Sequence, residues 1–142
     1  AIRLRGNATL SCDPETPTGV QIWAGVWEMD GRDLNISIGD LEMHGNKFEK
    51  EVSGKTGKAV GAGVSVIRLT GNGVSTIKAR KLNFVDAAAI DVSALNVPMG
   101  TYQLIDGTGI AGSKLTLAHG TDPAKWSLRL NAADGDVFLE RR

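Results

Sequence analysis

Apolar and polar residues alternate along most of this chain. The segments IRLR (2–5), LNISI (34–38), SVIRL (65–69) and STIKARKLNF (75–84) all keep a period of two. Because successive side chains of a β-strand point to opposite faces, this period places one face in a core and the other in water. Glycine-containing turn pairs interrupt the alternation at short intervals. The pattern predicts an all-β chain of short strands joined by tight turns.

One phrase occurs twice, as IRLRGN at 2–7 and IRLTGN at 67–72, and a looser copy, LEMHGN, stands at 41–46. Glycine supplies the positive φ that a sharp turn needs, and asparagine tolerates left-handed backbone. We interpret the phrase as a strand that ends in a turn, and we expect the three turns to recur at one corner of stacked coils. The predicted turn residues, with two from later in the chain, are Gly6, Asn7, Gly45, Asn46, Gly71, Asn72, Gly107 and Gly135.

Two architectures are compatible with these strands. In a parallel β-solenoid, each coil buries its inward residues against the next coil. In an antiparallel β-sandwich or jelly roll, the same phrase is a hairpin turn that is used more than once. Asp134-Gly135 lies between two strand-like segments, so we expect a C-terminal hairpin in either case.

The segment after Asp86 has two interpretations. A helix capped by Asp86 would place Val92 and Leu95 on one face. The period of two through Ile90, Val92 and Ala94 favours a strand, as in the neighbouring segments.

The length of 142 residues is typical of one domain, so we treat 1–142 as a single β-rich unit. The segment 47–63 is rich in glycine and lysine and is predicted to be a loop insertion. The segment 100–142 is predicted to close the domain.

The C-terminal third carries a family resemblance. An apolar strand with Ile90 and Val92 leads to GTYQLID (100–106), a GTGIAG turn, a WSL strand from Trp126 and a final VFL (137–139). This order resembles the closing segment of bacterial autotransporter-associated β-strand repeat proteins and similar passenger-type surface proteins. The resemblance implies a parallel β-solenoid that is exposed outside the cell and usually lacks catalytic residues.

Composition removes several classes of function. Sixteen basic and sixteen acidic residues cancel, and no segment concentrates one sign, so we expect no nucleic-acid partner. Cys12 is the only cysteine, so an intrachain disulfide is excluded. No apolar run is long enough for a membrane span, and no metal or cofactor fingerprint occurs. We expect no cofactor and no metal.

Catalytic candidates are few. His44 follows an alternating strand and His119 lies in a turn segment, and neither stands in a nucleophile motif. The carboxylate pairs are Asp30 with Asp33 and Asp134 with Asp136. Each pair spans a turn, where aspartate is common because its side chain bonds to nearby backbone. We expect structural roles for these residues and no enzymatic activity.

The chain offers one weak candidate for a ligand site. Trp23 and Trp27 would share a face if both lay on one strand, and Asp30 follows closely. Such a face could form an aromatic platform for a sugar ring, or it could close the core.

The leading prediction is a non-catalytic structural module at the cell surface that associates with itself, for example as a filament subunit. Exposed strand ends favour stacking of a second copy, and the predicted assembly edges are Ile2, Leu4, Val137 and Leu139. A carbohydrate-binding or adhesive module that contacts a surface polysaccharide is the first alternative. A polysaccharide-acting enzyme on a β-helix is the second.

Overall fold

A computed structural model describes residues 2–3, 6, 8–9, 20–23, 26–36, 41–44, 47–49, 58–60, 65–84, 88–111, 115–131 and 133–142. Within these residues the chain contains strands and turns and no helix, which confirms the all-β prediction. The strands are β1 (Ile2–Arg3), β2 (Ala8–Thr9), β3 (Val20–Trp23), β4 (Val26–Glu28), β5 (Leu34–Ile36), β6 (Leu41–His44), β7 (Lys47–Glu49), β8 (Lys58–Val60), β9 (Ser65–Gly71), β10 (Ile77–Ala79), β11 (Leu82–Phe84), β12 (Ala88–Leu95), β13 (Gly100–Asp106), β14 (Ile110–Ala111), β15 (Leu115–Leu117), β16 (Trp126–Asn131) and β17 (Asp136–Arg141).

The strands form three larger sheets and one small one. Sheet A has the order β1-β4-β9-β12-β15 and sheet C the order β14-β11-β6-β3, and every pairing within these two sheets is parallel. Sheet B has the order β16-β17-β13-β10-β5-β2, with parallel pairing from β2 to β13 and antiparallel pairing from β13 to β16. Strands β7 and β8, within the segment predicted to be a loop, form a separate antiparallel pair.

The chain visits sheets A, B and C in the same order in successive passes: β1-β2-β3, β4-β5-β6, β9-β10-β11 and β12-β13-β14. Apolar residues of successive passes are register neighbours, as Leu34, Ile77 and Ile105 are in sheet B. These three side chains are at most 2 % exposed and belong to one core cluster with buried residues of sheets A and C. The inward half of the alternating pattern therefore packs into a shared core.

The repeated phrase occupies equivalent positions in sheet A. Ile2 is paired with Trp27, and Trp27 is paired with Ile67, so the two Ile-Arg pairs lie on the same rung two strands apart. Gly71 ends β9 with a φ of 86° and is exposed, as a turn glycine should be. Asn72 is exposed beside it, and Gly6 is an exposed bend. Leu4 and Asn7 lie outside the described residues.

The expectation that all three copies share one corner is wrong. LEMHGN begins on β6, which belongs to sheet C and pairs with β3 and β11 rather than with any strand of sheet A. The outline of apolar residues and glycine was not specific enough to assign a sheet, because every strand in this chain alternates and ends near a turn. Gly45 and Asn46 lie outside the described residues.

The chain closes with the predicted hairpin. Strands β16 and β17 pair antiparallel from Trp126 opposite Arg141 to Asn131 opposite Asp136. In the turn between them, Gly135 has a φ of 77°, is buried, and lies against the backbone of residues 107–109. A Cβ on Gly107 would lie 2.6 Å from the carbonyl oxygen of Gly135. The two predicted turn glycines thus pack directly against each other.

The prediction that Val137 and Leu139 form an open assembly edge is wrong. Strand β17 lies between β13 and β16, and Val137 and Leu139 are both 0 % exposed. Their alternation marks a core-facing strand, and the hairpin supplies the second neighbour that alternation alone cannot reveal.

Strand β12 confirms the strand interpretation of its segment but departs from strict alternation. Its register with β9 shifts between Asp91 and Ala94, where three residues of β12 span two of β9. Val92 and Leu95 are buried, whereas Ser93 and Ala94 are both exposed. Such a bulge bends a strand and turns its side chains in new directions. The predicted inward position of Ala94 is therefore wrong.

Candidate functional site

The premise of the aromatic platform, that Trp23 and Trp27 lie on one strand, is wrong, because they lie on β3 of sheet C and β4 of sheet A. Trp27 packs against the core, and its indole nitrogen is buried with no hydrogen-bond partner among the described residues. Asp30 is exposed with a φ of 50°, and it accepts a hydrogen bond from the Thr70 hydroxyl at 3.3 Å. Asp30 therefore lies in a turn, and its side chain bonds to the neighbouring strand β9.

An open cleft of about 430 Å³ lies between the bulged end of β12, the turn after β15 and the start of the terminal hairpin. Buried side chains of Val92, Leu95, Val97 and Trp126 form its floor. Polar side chains that include Ser93 and Asn96 form part of its rim. The bulge builds one wall, since it places Ser93 and Ala94 at the surface between the buried Val92 and Leu95.

An ion-pair row ends at this cleft. Arg68 on β9 donates from Nη1 to Glu28 on β4 at 3.0 Å and from Nε to Asp91 on β12 at 3.1 Å. Arg3 is the register neighbour of Glu28 on β1. Charges of alternating sign therefore occupy one rung of sheet A, which favours the pairing of these strands in this register.

Asp91 is held as a carboxylate. Partial burial acts to raise its pKa, but hydrogen bonds from the side chain and backbone of Ser93 and from Arg68 outweigh burial, so the pKa lies below its usual value. The same pairing raises the pKa of Arg68, chiefly through the hydrogen bond to Asp91. Asp91 is therefore suited to structure and charge balance and not to proton donation.

The hairpin wall of the cleft carries two cations. Arg141 lies opposite Trp126 in the strand register, with its guanidinium carbon 5.2 Å from the centre of a Trp126 ring. Its Nη1 donates to the carbonyl of Lys125 at 3.4 Å and to the carbonyl of Arg142 at 2.8 Å. Lys125 is exposed, and its ammonium forms no ion pair within the described part of the chain.

The third wall is the turn that connects β15 to β16. Asp122 accepts a hydrogen bond from the backbone N–H of Ala124 at 2.9 Å, and its own carbonyl accepts from Lys125 and Trp126. Thr121 donates from its hydroxyl to the carbonyl of Ala118 at 2.6 Å. His119 is exposed at the rim. These bonds fix the turn, and the second carboxylate oxygen of the exposed Asp122 has no hydrogen-bond partner among the described residues.

The other carboxylates that the sequence offered for catalysis each bond to a neighbouring strand or turn. Asp33 accepts from the backbone N–H of Thr76 at 2.9 Å, Asp134 from Asn131 at 2.7 Å and Asp136 from Gln103 at 3.3 Å. In the described ranges no three histidine, cysteine or acidic side chains come together as a metal site, and no helix is long and apolar enough to cross a membrane. Cys12 and the side chain of His44 lie outside what the structure describes.

The two ends of the strand stack differ. Strands β1, β2 and β3, one from each large sheet, are edge strands of the first pass. At the other end, sheet C stops at β14, sheet A continues by one strand to β15, and sheet B continues by two strands to β16. At the first end all three sheets stop at strands of the same pass, and we call it the level end. At the second end the sheets extend by different numbers of strands, and we call it the stepped end.

Sequence reasoning did not find the cleft. Lys125 and Arg141 are brought together by the hairpin, and Ser93 reaches the rim through a bulge, so no short motif contains the site. Comparison of the chain with protein-family models, with curated proteins and with solved structures finds no match.

Proposed function

We propose that this protein is a non-catalytic structural module, a parallel β-solenoid that associates with a second copy through the edges of β1, β2 and β3. The repeated passage through sheets A, B and C in one order supports the solenoid, since an antiparallel sandwich or jelly roll would not contain two wholly parallel sheets. The hydrogen bonds that occupy Asp33, Asp134 and Asp136 support a structural role for these carboxylates.

The observation that carries the proposal is the level end of the stack. Among the described residues, β1, β2 and β3 each have no strand on their outer side, and such edges pair readily with other strands. The register positions of Ile2 and Arg3 continue the apolar and charged rungs of sheet A up to that edge. A second copy would therefore meet one edge strand from each of the three large sheets.

The difference between the two ends of the strand stack favours a dimer with twofold symmetry over a filament. Head-to-tail stacking would require the stepped end to fit the level one, although sheet B extends two strands beyond sheet C, or about 10 Å at the usual strand spacing. Two level ends that face each other across a twofold axis meet without such a step, and a twofold contact closes. The proposed assembly is therefore a dimer. Display of this module outside the cell, as the passenger-type resemblance implies, belongs to the same proposal.

Sedimentation velocity over a range of concentrations tests this proposal with one matched pair of variants. Thr9→Lys adds a charge to edge strand β2 at the level end, and Thr116→Lys adds the same charge at the exposed position of β15 at the stepped end. A dimer that dissociates only in Thr9→Lys is the expected result. A monomer at every concentration would overturn the proposal, and a polymer that both variants disrupt would replace the dimer with a head-to-tail filament.

A further inference from the structure

Four charged side chains line the cleft, Asp91 and Asp122 against Lys125 and Arg141, and they differ in how far other groups already bind them. Asp91 already accepts hydrogen bonds from the backbone of Ser93 and from Arg68, which lies outside the cleft lining and also pairs with Glu28. Lys125 and Arg141 form no ion pair with an Asp or Glu side chain in the described part of the chain. Asp122 keeps one carboxylate oxygen without a described partner. Both cations of the cleft therefore stand on the hairpin wall without an acidic side chain as partner, whereas Asp91 on β12 is already hydrogen-bonded.

Arg141 is oriented in advance for a carboxylate. The Trp126 ring supports its guanidinium, and the carbonyls of Lys125 and Arg142 accept from Nη1. The edge formed by Nε and Nη2 has no acceptor among the described residues. That edge presents two parallel N–H donors, which match the two oxygens of a carboxylate. A ligand anion would thus meet an arginine whose side-chain freedom is already reduced.

The rest of the cleft suits a ligand with several hydroxyl groups. Ser93 and Asn96 on one wall and Asp122 on another offer both donors and acceptors. The floor of Val92 and Leu95 offers an apolar surface for the C–H face of a ring. A volume of about 430 Å³ lies in the range of small-ligand pockets.

We propose that this cleft binds a saccharide that carries a carboxylate, with a hexuronic acid unit on Arg141 and Lys125 and its hydroxyls on Ser93, Asn96 and Asp122. The inference does not depend on self-association, because the cleft lies on β12 and the terminal hairpin, away from β1, β2 and β3.

Calorimetric titration of the purified chain with a hexuronic acid oligosaccharide tests the inference, with the carboxyl-reduced oligosaccharide and sodium acetate as the other two arms. The acidic oligosaccharide should bind about tenfold more tightly than its reduced counterpart. Lys125→Gln should weaken binding about fivefold. The matched variant Lys81→Gln removes an exposed lysine outside the cleft and should leave binding unchanged.

Backbone amide spectra locate the bound ligand independently of affinity. Shifts should concentrate at residues 91–97, 118–126 and 141 when the acidic oligosaccharide is added. Unchanged spectra at millimolar ligand, equal binding of the reduced oligosaccharide, or equal loss in Lys81→Gln would each overturn the proposal. Acetate that binds as tightly as the oligosaccharide would also overturn it, since the hydroxyl contacts would then contribute nothing.

Discussion

Arg68 on β9 and Asp91 on β12 face each other on one rung of sheet A, with Nε of the arginine 3.1 Å from Oδ2 of the aspartate. The pair lies immediately before the bulge of β12, and Ser93 within that bulge donates its backbone N–H to the other carboxylate oxygen. The Asp91 carboxylate therefore bonds both to the neighbouring strand β9 and to the bulge that forms one wall of the cleft.

The low pKa of Asp91 makes part of the folding free energy depend on pH. The folded state holds this proton less tightly than the unfolded state, so the contribution is present above the ordinary value of 3.8 and is lost as pH falls through the lower folded pKa. Asp91→Asn removes that group. Chemical denaturation between pH 5 and about pH 2 should show a shallower loss of stability in the variant. Equal slopes for both proteins would contradict the assigned cause.

The apolar rung of sheet A should carry much of the stability. Ile67 is 1 % exposed and lies between Trp27 and Ile90 in the register. Ile67→Ala should lower the free energy of unfolding by about 2–5 kcal/mol, because it leaves a cavity between stacked strands. Val66→Ala is the matched control on the other face of β9, where the side chain is only partly buried, and should cost roughly 1 kcal/mol or less. Urea denaturation measures both, and similar losses would argue against a core shared by the three sheets.

The contact between the two turns predicts a second specific loss. A Cβ on Gly135 would collide with the amide nitrogens of Thr108 and Gly109, and its φ of 77° disfavours other residues. Gly135→Ala should lower the free energy of unfolding by roughly 1–3 kcal/mol.

Gly109→Ala is the control for this loss, since a Cβ there meets no atom within 4 Å. It should change stability by less than about 0.5 kcal/mol. Thermal unfolding of the two variants separates the effect of this contact from a general cost of replacing glycine. A neutral Gly135→Ala variant would show that the hairpin turn does not pack on residues 107–109.

Much of the fold could be predicted from alternation and turn chemistry. The period of two identified the strands and the faces they bury, and it correctly favoured a strand over a helix at Ala88–Leu95. Asp134-Gly135 between two strand-like segments correctly predicted the hairpin. Alternation works at these places because each strand buries only one face.

The errors concern which strands become neighbours. LEMHGN resembles IRLTGN in pattern but begins on a strand of another sheet, and Trp23 and Trp27 lie on strands of two different sheets. A period of two defines the faces of a strand but says nothing about its partners. The bulge at Asp91–Ala94 escaped detection because one extra residue leaves only a small change in the hydrophobic pattern.

The cleft could not be predicted from the sequence for the same reason. Arg141 reaches Lys125 only because the hairpin pairs residue 141 with residue 126. Ion pairing between Arg68 and Asp91 also joins residues that are 23 positions apart. Such sites emerge from strand register, which depends on packing across the whole core.

Hydrogen exchange at two protein concentrations tests the central proposal of self-association most directly. At the higher concentration, amides of β1, β2 and β3 should exchange more slowly, whereas amides of β14 and β15 at the stepped end should exchange at an unchanged rate. Exchange that is independent of concentration in all five strands, or slowing confined to β14 and β15, would contradict association through the level end.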